Sequence, residues 1–235
     1  MLKVSRQPSG EPEIFHSIQG EGVTAGTPSV FFRLATCNLA CTWCDTKYTW
    51  DWERYDYAQQ VMSLSAHEVE DRILAYDCRH LVITGGEPML QQSALAPLAL
   101  SLRERGFYCE VETNGTLAPQ QEMIDAISQW NVSPKLANSG NRPERREAPE
   151  ALRAFTGLDS AFFKLVVVAP SDLDEVDELV RLYDVPPERV VLMPEGVTPD
   201  VLAERGRWLA EACAQRGYRF STRLHILLWG DQRGR

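Results

Sequence analysis

The chain has 235 residues, 44% of them hydrophobic, which is enough apolar content for one sizeable core in a single domain spanning 1–235. Its net charge of −9 excludes broad, sequence-independent nucleic-acid binding, which needs a basic surface, but leaves room for a small charged substrate held by a local patch. The opening "MLKVSRQPSG" lacks the apolar core of an export signal and no run approaches a membrane span, so the expected location is the cytoplasm and no membrane partner is expected.

Short runs rich in Val, Ile and Phe predict strands over 30–34, 80–84, 108–112, 132–133, 162–168 and 190–193, each of the kind buried on both faces. Between them, Ser65-Ala-His-Glu68 reads as a capping box opening a helix over 65–76. Further helices are expected over 95–105, 120–129, 173–183 and 199–216. The charged region 138–159, with "NRPERRE" at its centre, reads as a solvated or mobile loop. Strand alternating with helix implies α/β architecture with parallel strands and right-handed crossovers. Six strands are too few for an eight-stranded barrel, which leaves an open doubly wound sheet or a partial barrel. In both, chemistry belongs at the carboxyl ends of the strands. The polar motifs sit there: "CNLACTWCDT" after the first strand, then "TGGEP", "ETNG", "SPK" and "MPEG" after later ones.

Of the six cysteines, Cys37, Cys41 and Cys44 lie within eight residues, whereas Cys78, Cys109 and Cys213 are scattered and read as ordinary buried thiols. A zinc site on the cluster needs a fourth ligand, and none of His16, His67, His80 or His225 sits in a second pair of the usual spacing. An iron–sulfur cube normally takes four Cys. Three leave one iron open to a small chelating molecule.

The spacing Cys37-x3-Cys41-x2-Cys44, with Trp43 before the last Cys, resembles the signature of radical S-adenosylmethionine enzymes. In that superfamily the open iron of a [4Fe–4S] cluster is chelated by S-adenosylmethionine, which one electron cleaves to a 5′-deoxyadenosyl radical. "TGGEP" resembles its second motif, whose backbone and Glu bind the methionine amino group, and its fold is a partial (β/α)6 barrel. "IFHSIQGEG" followed by "AGTPSVFFRLATCNLACTWCDT", with "ETNG", "SPK", "FKLVV" and the late His225, narrows the resemblance to the 7-carboxy-7-deazaguanine synthase family over nearly the whole chain. The activity implied is that of a lyase that converts 6-carboxy-5,6,7,8-tetrahydropterin to 7-carboxy-7-deazaguanine with loss of ammonia, toward queuosine and other 7-deazapurines used in tRNA modification. The radical takes a hydrogen from C6, the ring contracts, a hydrogen is returned and S-adenosylmethionine is regenerated, with Mg2+ assisting. A homodimer and a flavodoxin-like or ferredoxin-like electron donor are implied as well.

The same resemblance implies roles residue by residue. Cys37, Cys41 and Cys44 hold the cluster in a loop over 37–46, and Thr46 is the Mg2+ ligand, completed by substrate oxygens and water. Ile18, Gln19, Gly20, Arg33, Thr84 and His225 contact substrate, Arg33 through the carboxylate that its planar fork suits, with Glu21 an acceptor nearby. Trp43, Cys44, Asp45, Gly86, Ser133, Pro134, Lys135, Met193, Pro194, Glu195 and Gly196 contact S-adenosylmethionine. Glu112 and Asn114 are either a turn device or a contact to the cofactor ribose; Lys164 stays unassigned. No residue beyond the cluster ligands is given a catalytic side-chain role. Some family members end close after the late His with the terminal carboxylate near substrate. Here an extension over 226–235, "ILLWGDQRGR", continues, with Trp229 or Gly230 as replacements for that contact and Arg233 and Arg235 as a solvated tail. Two rivals remain: an activase that makes a glycyl radical on a partner protein, which leaves "SIQGEG" and His225 unexplained, and a non-catalytic zinc protein, which leaves "TGGEP" unexplained.

Overall fold

The computed structural model describes residues 1–234; Arg235, expected in the tail, lies outside the described residues. Among the described residues ten strands form one sheet: β1 (Leu2–Ser5), β2 (Ile14–Ile18), β3 (Pro28–Leu34), β4 (Val61–Leu64), β5 (His80–Gly85), β6 (Tyr108–Thr113), β7 (Gln129–Val132), β8 (Ala161–Val167), β9 (Val190–Pro194) and β10 (Arg219–Phe220). Six of them, β3, β5, β6, β7, β8 and β9, are parallel neighbours in that order, as a partial (β/α)6 barrel requires. The strand order runs from β10 at one end to β4 at the other, so the sheet stays open. Strands β1, β2 and β4 add an antiparallel margin at the β3 end. They are short and carry polar residues, so their sequences give little strand signal.

The parallel strands have two unlike faces. Val30, Phe32 and Leu34 of β3, Leu81 and Ile83 of β5, Trp130 and Val132 of β7, Phe163 and Leu165 of β8 are fully buried against the helices. Each such side chain contributes about 1.5–3 kcal/mol on leaving water. The residues between them, Arg33, Thr84, Glu112, Ser133, Lys164 and Met193, line a cavity on the concave side. The strands are therefore not apolar on both faces, as their composition suggests.

Helices Ala66–Leu74, Gln92–Glu104, Asp172–Leu182 and Pro199–Arg216 fall within a few residues of their expected positions. The Ser65 box forms, with Ser65 N donating to Glu68 Oε2 at 2.7 Å and Glu68 N to Ser65 Oγ at 3.2 Å. Two expectations fail. The helix expected over 120–129 stops at Ala126 and the strand begins at Gln129, because Trp130 and Val132 are needed in the core. Region 138–159 is not a mobile loop: it carries helices Pro143–Arg146 and Pro149–Thr156, and Phe155 is fully buried with its ring centroid 5.3 Å from that of Trp130. Arg146 pins it through Lys135 O at 3.0 Å and Glu175 Oε1 at 2.5 Å. Among the described residues no helix is long and apolar enough to cross a membrane.

Candidate active site

Leaving β3, the chain must turn sharply to bring its cysteines over the carboxyl ends of the strands. Thr36 takes a left-handed φ of 74°, which costs a branched residue energy and is held from both sides. Its N–H donates to Thr49 O at 2.7 Å and its carbonyl accepts from Glu87 N at 2.8 Å. Gly86 permits this approach, since a methyl there would overlap the Thr36 carbonyl and stand 3.0 Å from Cys37 N. Thus the second motif is the seat of the first.

Cys37, Cys41 and Cys44 all line the cavity, and N–H groups from separate elements point at their sulfurs. Leu39 N donates to Cys37 Sγ at 3.5 Å, Asn141 Nδ2 to Cys41 Sγ at 3.2 Å and Trp50 Nε1 to Cys44 Sγ at 3.3 Å. Such donors suit sulfurs that carry negative charge. Burial, reinforced by the Glu87, Cys41 and Cys44 charges, pushes the Cys37 thiol up to about 12, so metal must displace its proton on binding. Among the described residues no three His, Cys, Asp or Glu side chains converge as a single ion requires. The donor set fits a three-thiolate cluster with one open iron.

Below the cysteines the cavity floor is charged. Lys164, buried on β8, donates to Glu21 Oε2 at 2.6 Å and to Glu112 Oε1 at 3.3 Å. Arg223 extends the chain of charges, reaching Glu21 Oε1 at 3.0 Å, Gly196 O at 2.8 Å and the Asp45 carboxylate. Burial opposes ionisation of Glu21, but Lys164 and Arg223 outweigh it and hold its carboxyl well below the usual range. Burial prevails at Glu112, whose pKa is raised despite Lys164. Gln19 donates its amide to Glu110 and, at 3.3 Å, to Glu112, which fixes its orientation. Burial lowers the pKa of His225, leaving the imidazole neutral near pH 7. A methyl on Gly20 would overlap the His225 ring, 2.9 Å from its Cγ, so Gly20 is what lets the two segments meet.

The expected substrate contacts Ile18, Gln19, Gly20, Arg33, Thr84 and His225 share this one cavity with Thr46. So do Trp43, Cys44, Asp45, Gly86, Ser133, Lys135, Met193 and Glu195 from the expected S-adenosylmethionine set. Pro134, Pro194 and Gly196 do not line it; Gly196 offers its carbonyl to Arg223 instead. Trp229 and Gly230 do not line it either. The Glu87 carboxylate is fully buried and accepts from Asn114 N at 2.6 Å, Thr113 Oγ1 at 2.7 Å and Met89 N at 2.9 Å, so it braces the turn after the next strand. Asn114 closes a turn, accepting from Thr116 N at 3.0 Å and donating to Asn38 Oδ1 at 2.9 Å, and like Glu112 it also lines the cavity. Asn141, Trp50 and Arg223 carry no sequence signal that marks them, and Lys164, left unassigned by the sequence, points into the cavity. Lys164, alone in an apolar strand, was the signal that one face is polar.

The radical SAM superfamily model matches residues 33–134, which run from Arg33 through the cysteine loop to the end of "SP". The 7-carboxy-7-deazaguanine synthase of Pyrobaculum aerophilum is 39% identical over 225 residues, 95% of this chain and 96% of that one. The chain belongs to the 7-carboxy-7-deazaguanine synthase family. The synthase of Halobacterium salinarum is 37% identical, over 93% of this chain and 90% of its own. The crystal structure of QueE from Escherichia coli superposes with a TM-score of 0.70 at 28% identity, covering 95% of this chain and 94% of that one. As a radical SAM enzyme the family uses a [4Fe–4S] cluster and S-adenosylmethionine, which the thiols and the cavity around them fit.

Proposed function

We propose that the chain is a 7-carboxy-7-deazaguanine synthase that contracts the reduced ring of 6-carboxy-5,6,7,8-tetrahydropterin and releases ammonia. One observation carries the reading: a single cavity at the carboxyl ends of the strands holds the three cysteines, the Gly86 turn, Arg33, Gln19 and His225 together. When bound, the cluster and S-adenosylmethionine supply the one-electron chemistry that removes a hydrogen atom from the substrate. The rest falls to the chain. Cys37, Cys41 and Cys44 would hold the cluster, and Gly86, Ser133 and Glu195, which line the same cavity, would flank the cofactor. Arg33 has its Nε 2.9 Å from Glu13 Oε1 and lines the cavity, so its outer nitrogens can take the substrate carboxylate. Gln19, whose Nε2 is committed to Glu110 and Glu112, is left with its amide oxygen for the heterocycle edge. Neutral His225 can accept a hydrogen bond there.

Thr46, which lines the cavity, would offer one hydroxyl to a Mg2+ ion, with oxygens of substrate and water as its other ligands. The reading carries a homodimer, a flavodoxin-like or ferredoxin-like donor and a cytoplasmic setting. The test is anaerobic reconstitution with iron and sulfide, then incubation with S-adenosylmethionine, dithionite, Mg2+ and 6-carboxytetrahydropterin, followed by mass spectrometry. The expected product is 7-carboxy-7-deazaguanine. Cleavage of S-adenosylmethionine with the pterin untouched would keep the radical chemistry and overturn the substrate.

A further inference from the structure

The tail was expected to be solvated, and Arg233 is not: its side chain is 19% exposed and points back into the protein. Helix Leu224–Trp229 carries His225 at the cavity and ends at Gly230, whose φ of 70° glycine adopts without strain. Arg233 then reaches strands that begin the sequence. Its Nε and Nη2 donate to Glu13 Oε2 at 3.1 and 3.0 Å, its Nη1 to Gln60 Oε1 at 3.0 Å and its Nη2 to Ser5 Oγ at 3.2 Å and to the Arg6 carbonyl. The guanidinium carbon lies 3.5 Å from the centroid of the Tyr48 ring.

Glu13 is what makes this more than a tether. Its carboxylate is fully buried and also accepts from Arg33 Nε at 2.9 Å, Tyr48 OH at 2.9 Å and Ser5 Oγ at 2.9 Å. Burial opposes its ionisation, and Arg33 and Arg233 reverse that and hold the carboxyl below its usual range. Two guanidiniums on one buried carboxylate leave one unit of positive charge uncancelled, and Arg33 is the member that lines the cavity. Without Arg233, Arg33 and Glu13 form a neutral pair, and the buried carboxylate draws the Arg33 fork toward itself.

We propose that Arg233 is a positioning residue that acts through Glu13: it takes half of the Glu13 charge, which leaves the Arg33 fork aimed and charged for the carboxylate of the substrate. This rests on the reading of Arg33 as the carboxylate contact. Tyr48 is two residues past Thr46, so the same clamp fixes the end of the cysteine loop.

The test uses the reconstituted holoenzyme with S-adenosylmethionine, titrated anaerobically with 6-carboxypterin and with pterin lacking the carboxyl, both followed by their own fluorescence. In Arg233→Ala the affinity for 6-carboxypterin falls about tenfold, the loss of one charged hydrogen-bonding partner, while that for bare pterin stays within about twofold. Arg233→Lys, which restores the charge without the fork, recovers part of the loss. In turnover, KM for the carboxylated substrate rises and kcat holds, the mark of lost ground-state binding. Equal weakening of both ligands would mean general loosening and would overturn the inference, as would no change in either. A wild-type protein that does not distinguish the two pterins overturns the reading of Arg33 itself.

Discussion

Lys164 offers the sharpest test of the charged floor. Replacing it with Met keeps the length of the side chain and deletes its ammonium from between Glu21 Oε2, at 2.6 Å, and Glu112 Oε1, at 3.3 Å. Removing one partner of a buried ion pair costs about 3–5 kcal/mol, because the survivor is left desolvated. Glu21 keeps Arg223 at 3.0 Å, which puts the expected loss at the lower end, about 3 kcal/mol. At a urea m-value of about 3 kcal/mol/M this lowers the unfolding midpoint by about 1 M. Iron-free protein is the material to use, since cluster loss during unfolding breaks two-state behaviour.

The loss has a pH signature. In the wild type the folded Glu21 carboxyl lies below its unfolded value near 4.5, so its stabilisation is present above that value and fades as pH falls. Lys164 is raised above its unfolded value near 10.5, so its own contribution is complete throughout pH 5–8. In Lys164→Met, Glu21 and Glu112 lose their ammonium and their pKa values rise. The deficit is therefore widest at pH 8 and narrows toward pH 5, where the carboxylates can take protons. A deficit below about 1 kcal/mol, or one that is flat from pH 8 to 5, would refute the reasoning.

Three further outcomes follow from the geometry. Gly20→Ala forces its methyl into the His225 ring; displacing that side chain by about 1 Å lowers product formation about 100-fold while circular dichroism is unchanged. Trp50→Phe removes the N–H that points at Cys44 Sγ from 3.3 Å; a hydrogen bond worth about 1 kcal/mol is about 40 mV for one electron, so the cluster midpoint moves negative by that order in a potentiometric titration read by electron paramagnetic resonance. Phe155→Ala opens a cavity beside Trp130 and costs about 3–5 kcal/mol in urea unfolding, where a truly solvated loop at 138–159 would lose almost nothing.

The cysteine loop, "TGGEP" and the order of the parallel strands were legible because they are local: spacing, a turn and a run of branched residues each sit within a few positions. The misreadings share one cause, which is that a single-letter pattern does not say which face of an element meets what. The composition of "FKLVV" suggests a strand buried on both faces and leaves Lys164 without a place, yet Lys164 and Val166 face the cavity while Phe163 and Leu165 face the helices. The charges of "NRPERRE" masked Phe155, whose burial orders the segment.

By itself, then, the sequence determined the spacing of the three thiols and the layer architecture, since three cysteines at fixed spacing and a strand–helix alternation are properties of neighbours along the chain. Tertiary structure decided the rest. It turned the Glu87 carboxylate away into the Asn114 turn, joined Lys164 to Glu21 across 143 positions, and brought Arg233 to Glu13 across 220. Those choices depend on which charged groups are desolvated together, and burial is a property of the folded chain.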